Sequence, residues 1–165
     1  MKQLISDNLK ASLVEQFGAE KYNSHVYLYI ASYLNGKGLN NLANIFEKQH
    51  EEEQNHSLMI YNLLTDLGVS FDFPEVNGCN MPFETIIDIA NLFFDREVLT
   101  TTSLNEIKMQ AESESGTASV VAERMREMLL LQQNEHEEST TFLDQAMLTG
   151  GDWKFVMLWD VSLKD

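Results

Sequence analysis

The sequence predicts an all-α protein: a four-helix bundle with one long crossover and a short fifth C-terminal helix. Three observations predict it. Proline occurs only at Pro74 and Pro82, so long helices are free to run between the breaks. Apolar residues recur at alternating three- and four-residue steps over four long runs, the period of a helix with one buried face. The second and third runs are separated by the turn-rich stretch "VSFDFPEVNGCNMPF", which has no helical period and lets two hairpins lie side by side.

The elements follow in order. From about Ser6 to Leu34, the positions Leu9, Leu13, Gln16, Glu20, Asn23, Tyr27, Ala31 and Leu34 form one face, and "NGKGLN" ends the helix with two glycines. The second run places Leu42, Phe46, Gln49, Glu53, His56, Ile60, Leu63 and Leu67 on one face, with Gly68 as its stop. After the extended connection, Pro82 is expected in the first turn of the third helix. The face of that helix reads Phe83, Ile86, Ala90, Phe93, Glu97, Leu104 and Ala111, and "ESESGTAS", Glu112 to Ser119, breaks it. The fourth run carries Val121, Met125, Met128, Gln132, Glu135, Phe142 and Ala146, until "TGGD" closes it at Thr149 to Asp152. Asp152 is then the expected N-cap of "DWKFVMLWDVSLK". The expectation is a single domain over residues 1–165, with the bundle over about 6–148 and the terminal helix over about 152–163.

Composition narrows the function. A chain of 165 residues that is 44% hydrophobic suits one domain with a real core. No uncharged apolar run is long enough to span a membrane, and "MKQLISDNLK" lacks the apolar stretch of a signal peptide. Cys79 is the only cysteine, so no internal disulfide forms. These features predict a cytoplasmic protein with no membrane partner. The net charge of -15, with 11 basic residues against 26 acidic ones and no basic stripe, argues against nucleic acid as a partner.

Each apolar stripe is interrupted near its middle by carboxylate: Glu20, Glu53 with His56, Glu97, and Glu135 with Gln132. In a bundle the middles of four helices meet at one level, so these side chains are expected to converge. A buried carboxylate costs several kcal/mol even after relaxation, and four would exceed the roughly 5 to 15 kcal/mol that keeps a domain folded. Something cationic must compensate. Lys21, Lys48 and Arg96 are the nearby basic residues, and all fall off the stripes. Metal ions answer better, because oxygen ligands with one imidazole suit iron or manganese and four carboxylates neutralise two divalent cations. Glu53 and His56, three residues apart, project to the same side of their helix. Taken singly, His56 reads as a hydrogen-bonded core histidine, Glu20 or Glu97 as a surface residue, and Tyr27 as plain packing. The coincidence on four helices carries the metal reading.

At this point the residues resemble the ferritin family, specifically the non-haem ferritins of bacteria and archaea, over essentially the whole chain. "EQFGAEKYNSHVYLY" is similar to the first-helix segment of that family, "EEEQNH" to its Glu-Glu-x-x-His, "REVLTT" to its third-helix ligand and "LQQNEHEE" to its fourth-helix Gln-x-x-Glu. The resemblance implies Glu20 and His56 as ligands of a first iron, Glu53 as the bridging carboxylate, and Glu97 and Glu135 as ligands of a second. It places Gln132 near the oxygen site and Tyr27 beside the centre. Gln133 with His136, or Glu135 with Glu138, also fits a four-residue motif; only Gln132 and Glu135 keep step with Met125, Met128, Phe142 and Ala146. Glu52 matches one ligand of a third iron site found in many bacterial relatives, whereas the other two positions fall on Leu131 and Asn134. Haem is not expected.

The resemblance implies a ferroxidase: a diiron centre that oxidises Fe(II) to Fe(III) with dioxygen or peroxide and deposits ferric mineral inside a hollow shell. Family members form shells of twenty-four subunits, and the apolar fifth helix, with Trp153, Phe155, Val156, Met157, Leu158 and Trp159, fits such self-association. Two other readings stay open on the residues: a diiron oxygenase or peroxidase of rubrerythrin type without storage, and a bundle that buffers divalent metal without turnover.

Overall fold

The computed structural model describes residues 2–114 and 116–164. Met1 and Asp165, at the ends of the expected domain, and Ser115, inside the expected break, lie outside the described residues. The helices are α1 (Asp7–Gly36), α2 (Asn40–Asp66), α3 (Ile86–Ser113), α4 (Ala118–Leu148) and α5 (Trp153–Ser162). No strand occurs among the described residues, and no helix is long and apolar enough to cross a membrane.

Local chemistry sets the helix ends. Ser6 caps α1, its hydroxyl accepting from the Leu9 amide at 3.1 Å. Gly68 follows α2 at φ 70°, a left-handed turn that glycine adopts without strain. Asp152 caps α5 by accepting from the Lys154 amide at 2.9 Å.

The start of α3 departs from expectation. Pro82 and Phe83 remain in the connection, and the helix begins at Ile86 behind an N-cap at Thr85. Thr85 accepts from the Ile87 amide at 3.2 Å, while Asp88 accepts from the Thr85 amide at 2.8 Å. This reciprocal box satisfies the first free amides more fully than a proline in the first turn would. The carbonyls of Met81 and Phe83 are held instead by the hydroxyls of Tyr29 and Tyr33, at 2.8 and 2.9 Å. The break between α3 and α4 is also tighter than the expected Glu112 to Ser119, since α3 reaches Ser113 and α4 starts at Ala118.

The connection climbs the outside of α1. Lys10 donates to the Ser70 carbonyl at 2.8 Å, and Phe71 and Phe73 pack on Phe17 with ring centroids 5.6 and 4.9 Å away. Pro74 then crosses Gly18, and the tyrosine contacts above follow toward the other end. Gly18 is needed there, because a Cβ on it would lie 2.8 Å from Pro74 Cγ.

The terminal helix docks back on the bundle. Leu39, the N-cap of α2, makes no side-chain cap of its own. Asp160 of α5 supplies one, accepting from the Leu42 amide at 2.7 Å, and its carbonyl accepts from the Asn41 side chain at 2.9 Å. Trp159 lies 5.0 Å from the Phe142 ring.

The apolar interior has two parts. One is built on Leu9, Leu13, Phe17, Ile60, Leu64, Leu104, Val121 and Met125, the other on Tyr27, Ile30, Leu34, Phe46, Ile89, Phe93 and Phe142. A buried polar layer lies between them, and it is the layer at which the stripes are interrupted.

Candidate metal centre

Glu20 from α1, Glu53 and His56 from α2, Glu97 from α3, and Gln132 and Glu135 from α4 are all buried. Each comes from the middle of its helix, where 3.6-residue periodicity keeps it in phase with the apolar stripe. Glu20, Glu53 and His56 each present a ligand atom within 4.8 Å of the other two, and so do Glu53, Glu97 and Glu135. Glu53 belongs to both groups, so the arrangement is two adjacent positions with one shared carboxylate. His56 Nδ1 lies 3.8 Å from Glu53 Oε2, and its Nε2 lies 3.3 Å from Glu135 Oε1.

A second ring of polar side chains holds these groups. Gln16 Nε2 donates to Glu20 Oε1 at 2.8 Å. The Tyr27 hydroxyl donates to Glu97 Oε1, and Gln132 Nε2 donates to Glu97 Oε2. Asn23 donates to Thr100 Oγ1 at 3.0 Å and accepts from Arg96 Nε at 2.7 Å. Arg96 is thus engaged with Asn23 and with the Tyr22 ring, 5.0 Å away. Among the described residues, no lysine or arginine forms an ion pair with any of the four buried glutamates.

The electrostatic state follows from burial. Loss of water pushes Glu53 up to about 8, Glu97 to about 7 and Glu135 to about 9. Glu20 is also raised, first by burial and then by the Glu53 charge. Burial raises the Tyr27 phenol too, with the Glu97 charge adding to it. Without cations the layer therefore holds protons at neutral pH.

Several buried atoms nevertheless have no hydrogen-bond partner: Glu20 Oε2, both oxygens of Glu53, His56 Nδ1 and Glu135 Oε2. Buried polar atoms are ordinarily paired, and here the orphans gather around the two positions. Hard oxygen donors with a single imidazole match divalent iron or manganese. The residues fit a pair of such ions.

Glu52 lies outside this cluster. It is exposed, in a groove of about 650 Å³ between α2 and α4 that Gln49, Glu137 and Glu138 also line. Gln49 Nε2 donates to Glu138 Oε2 at 2.8 Å, and burial together with the Glu138 charge raises Glu52. Gln16 and Asn23 were legible as stripe positions without a role; the signal for Gln16 is its spacing, one helical turn before Glu20. Thr100 and Ser103 gave no signal in the sequence.

Helices in this order, with carboxylates from all four meeting one imidazole at mid-height, define a bundle protein with a buried carboxylate centre. A family model described as the ferritin-like domain matches residues 10–147, and the chain belongs to that family. A bacterial non-heme ferritin of Staphylococcus aureus is 31% identical over 85 residues, covering 52% of this chain and 51% of that protein. The chain thus spans about half the length of that relative in the matched region. A bacterial non-heme ferritin of Staphylococcus epidermidis is 24% identical over 162 residues, covering 97% of this chain and 95% of its own. Among solved structures, an open pore ferritin from the archaeon Archaeoglobus fulgidus superposes with a TM-score of 0.89 at 21% identity, covering 96% of this chain and 97% of that one. Chlorobium tepidum ferritin gives 0.84 at 20% identity, with 88% of each chain covered. At such identities these two structures speak for the fold.

Proposed function

We propose that the chain is a subunit of an iron-storage ferritin whose polar layer is a diiron ferroxidase centre. One observation carries this reading: unpartnered oxygens of buried glutamates converge on two adjacent positions, and no lysine or arginine among the described residues pairs with them. Fe(II) and dioxygen or peroxide are the substrates, and Fe(III) is the product. Bound Fe(II) supplies the electrons, and anionic oxygen donors favour the higher oxidation state.

The residues divide the work. Glu20 and His56 hold the first ion, Glu97 and Glu135 the second, and Glu53 bridges them. Because these carboxylates hold protons when empty, loading the centre releases protons to solvent. Gln132 and Tyr27 hold Glu97 by its two oxygens, and the phenol stays protonated because burial raises it. Glu52 and Glu138, in the α2–α4 groove, give the outer edge of the centre a negative field that draws cations toward it.

Storage requires a shell, and the fifth helix supports self-association. Phe155, Met157, Leu158 and Val161 are 58%, 56%, 64% and 56% exposed, and the neighbouring Leu148 is 88% exposed. So many exposed apolar side chains on one short helix suit a contact site, and assembly of identical chains into a hollow 24-subunit shell would cover them.

Aerobic addition of Fe(II), followed by ferric absorbance, together with particle size and iron per particle, tests the whole reading. A hollow particle, a fast oxidation phase and many irons per chain are the expected results. Glu53→Ala should abolish the fast phase. Oxidation by a small particle that stores nothing would favour a rubrerythrin-like oxidase, and binding without oxidation would leave a metal buffer.

A further inference from the structure

Three of the four carboxylates of the centre are held in three different ways. Glu97 has both oxygens occupied by protein donors, from Tyr27 and Gln132. Glu53 has both oxygens free. Glu20 is divided: Oε1 accepts from Gln16, and Oε2 has no partner.

The division of Glu20 depends on which way the Gln16 amide points. Gln16 is 3% exposed and bridges α1 to α3. Its Nε2 faces Glu20 at 2.8 Å, and its Oε1 accepts from the Ser103 hydroxyl at 2.6 Å. The two ends reinforce each other. Once Glu20 is ionised, as it must be to bind a cation, turning the amide over would set its oxygen against a carboxylate oxygen, an acceptor against an acceptor. Ser103 lines a groove of about 310 Å³ between α1 and α3, beside Ser12, Thr100 and Gln110. Its one hydroxyl proton has two acceptors within reach, Gln16 Oε1 at 2.6 Å and the Thr100 carbonyl at 3.1 Å, and the shorter contact is the one to Gln16.

We propose that Gln16, oriented by Ser103, is a positioning residue for the first cation position: it holds Glu20 by Oε1 and leaves Oε2 without a protein partner. The Glu20 carboxyl is thereby held in one orientation, and α3 takes part in a site whose ligands would come from α1 and α2. Partners of this outer kind are worth roughly 10- to 100-fold in metal affinity. The proposal rests on the cation-binding reading above.

The test is a Co(II) titration of the full-length protein under anaerobic conditions, read by visible absorbance and calorimetry. Glu20→Ala identifies which of the binding steps belongs to the first position. Gln16→Leu, close in volume but unable to make either bond, should weaken that same step by roughly 10- to 100-fold and leave the other within about twofold. Ser103→Ala should weaken it several-fold, Ser103→Thr should restore it, and Ser12→Ala, in the same groove but off Glu20, should do nothing. With Fe(II), the KM should rise more than kcat falls. If Gln16→Leu does not fold, the Ser103 pair decides alone. Equal weakening of both steps, or no change in either, overturns the proposal while wild-type binding leaves the centre itself standing. A wild-type chain that binds no Co(II) overturns both.

Discussion

His56 Nε2 lies 3.3 Å from Glu135 Oε1, joining α2 to α4 across the middle of the bundle. On the far side of each contact atom, His56 Nδ1 and Glu135 Oε2 have no partner. Two donor groups held face to face with idle atoms are arranged for something placed between and beside them. Burial of the glutamates in this layer makes the empty protein sensitive to pH.

Glu97, Glu53 and Glu135 are held at about 7, 8 and 9, against about 4.3 for glutamate in an unfolded chain. The folded metal-free chain therefore keeps protons that the unfolded chain releases. The stability these groups contribute is fully present below about pH 4 and is lost as pH rises through 7 to 9. The melting temperature of the metal-free protein should fall between pH 5.5 and 9, by circular dichroism, and Mn(II) should reverse the fall. A melting temperature that rises over this range contradicts the burial argument.

Glu53→Gln separates stability from binding. The amide keeps the shape of the shared residue but cannot ionise, so one charge fewer must be buried. At pH 8 the metal-free variant should be more stable than the wild type by about 1 to 3 kcal/mol in urea melts. It should also lose the coupled binding of a second cation in calorimetry. A variant that is destabilised would show that Glu53 has structural partners.

Asp160→Ala removes the cap that α5 lends to α2. Losing the bond to the Leu42 amide should cost about 1 to 2 kcal/mol. It also frees α5 from the bundle, so sedimentation should show smaller particles if the exposed apolar face of α5 is an assembly contact. Asp160→Asn, which keeps an acceptor, should recover most of the stability.

Gly18→Ala sets two effects against each other. Alanine favours a helix over glycine by up to about 1 kcal/mol. The added methyl, however, meets the Pro74 ring at 2.8 Å, and strain of this kind costs typically about 1 to 3 kcal/mol. The variant should be less stable, and Gly18→Ala with Pro74→Ala should regain part of the loss. A stabilised single variant would mean that the connection lifts off α1 freely.

The helices were legible because their stripes are long and only two prolines interrupt the chain. The polar layer was legible for a related reason: a glutamate in phase with leucines is expensive unless it meets a partner, so Glu20, Glu53, Glu97 and Glu135 announced a common destination. What stayed hidden depends on contacts between distant segments. Proline at a helix start is a local preference, and the box of Thr85 with Asp88 overrode it. Asp160 gave no signal in the sequence, because its role depends on lying beside the Leu42 amide of a distant helix. Ser103 lies off every stripe, and only the approach of α3 to α1 gives it a role.

The link between α2 and α3 measures as well as connects. Residues 67–85, at about 3.3 Å each when extended, reach roughly 60 Å, while α1 with its 30 residues is about 45 Å tall at 1.5 Å per residue. After its bends around Phe17, Gly18, Tyr29 and Tyr33, little slack is left. The strap is therefore a gauge that fixes how far α3 sits along α1, and with it the height at which Glu97 faces Glu20. Trimming it by several residues would leave four sound helices with their acids at mismatched levels.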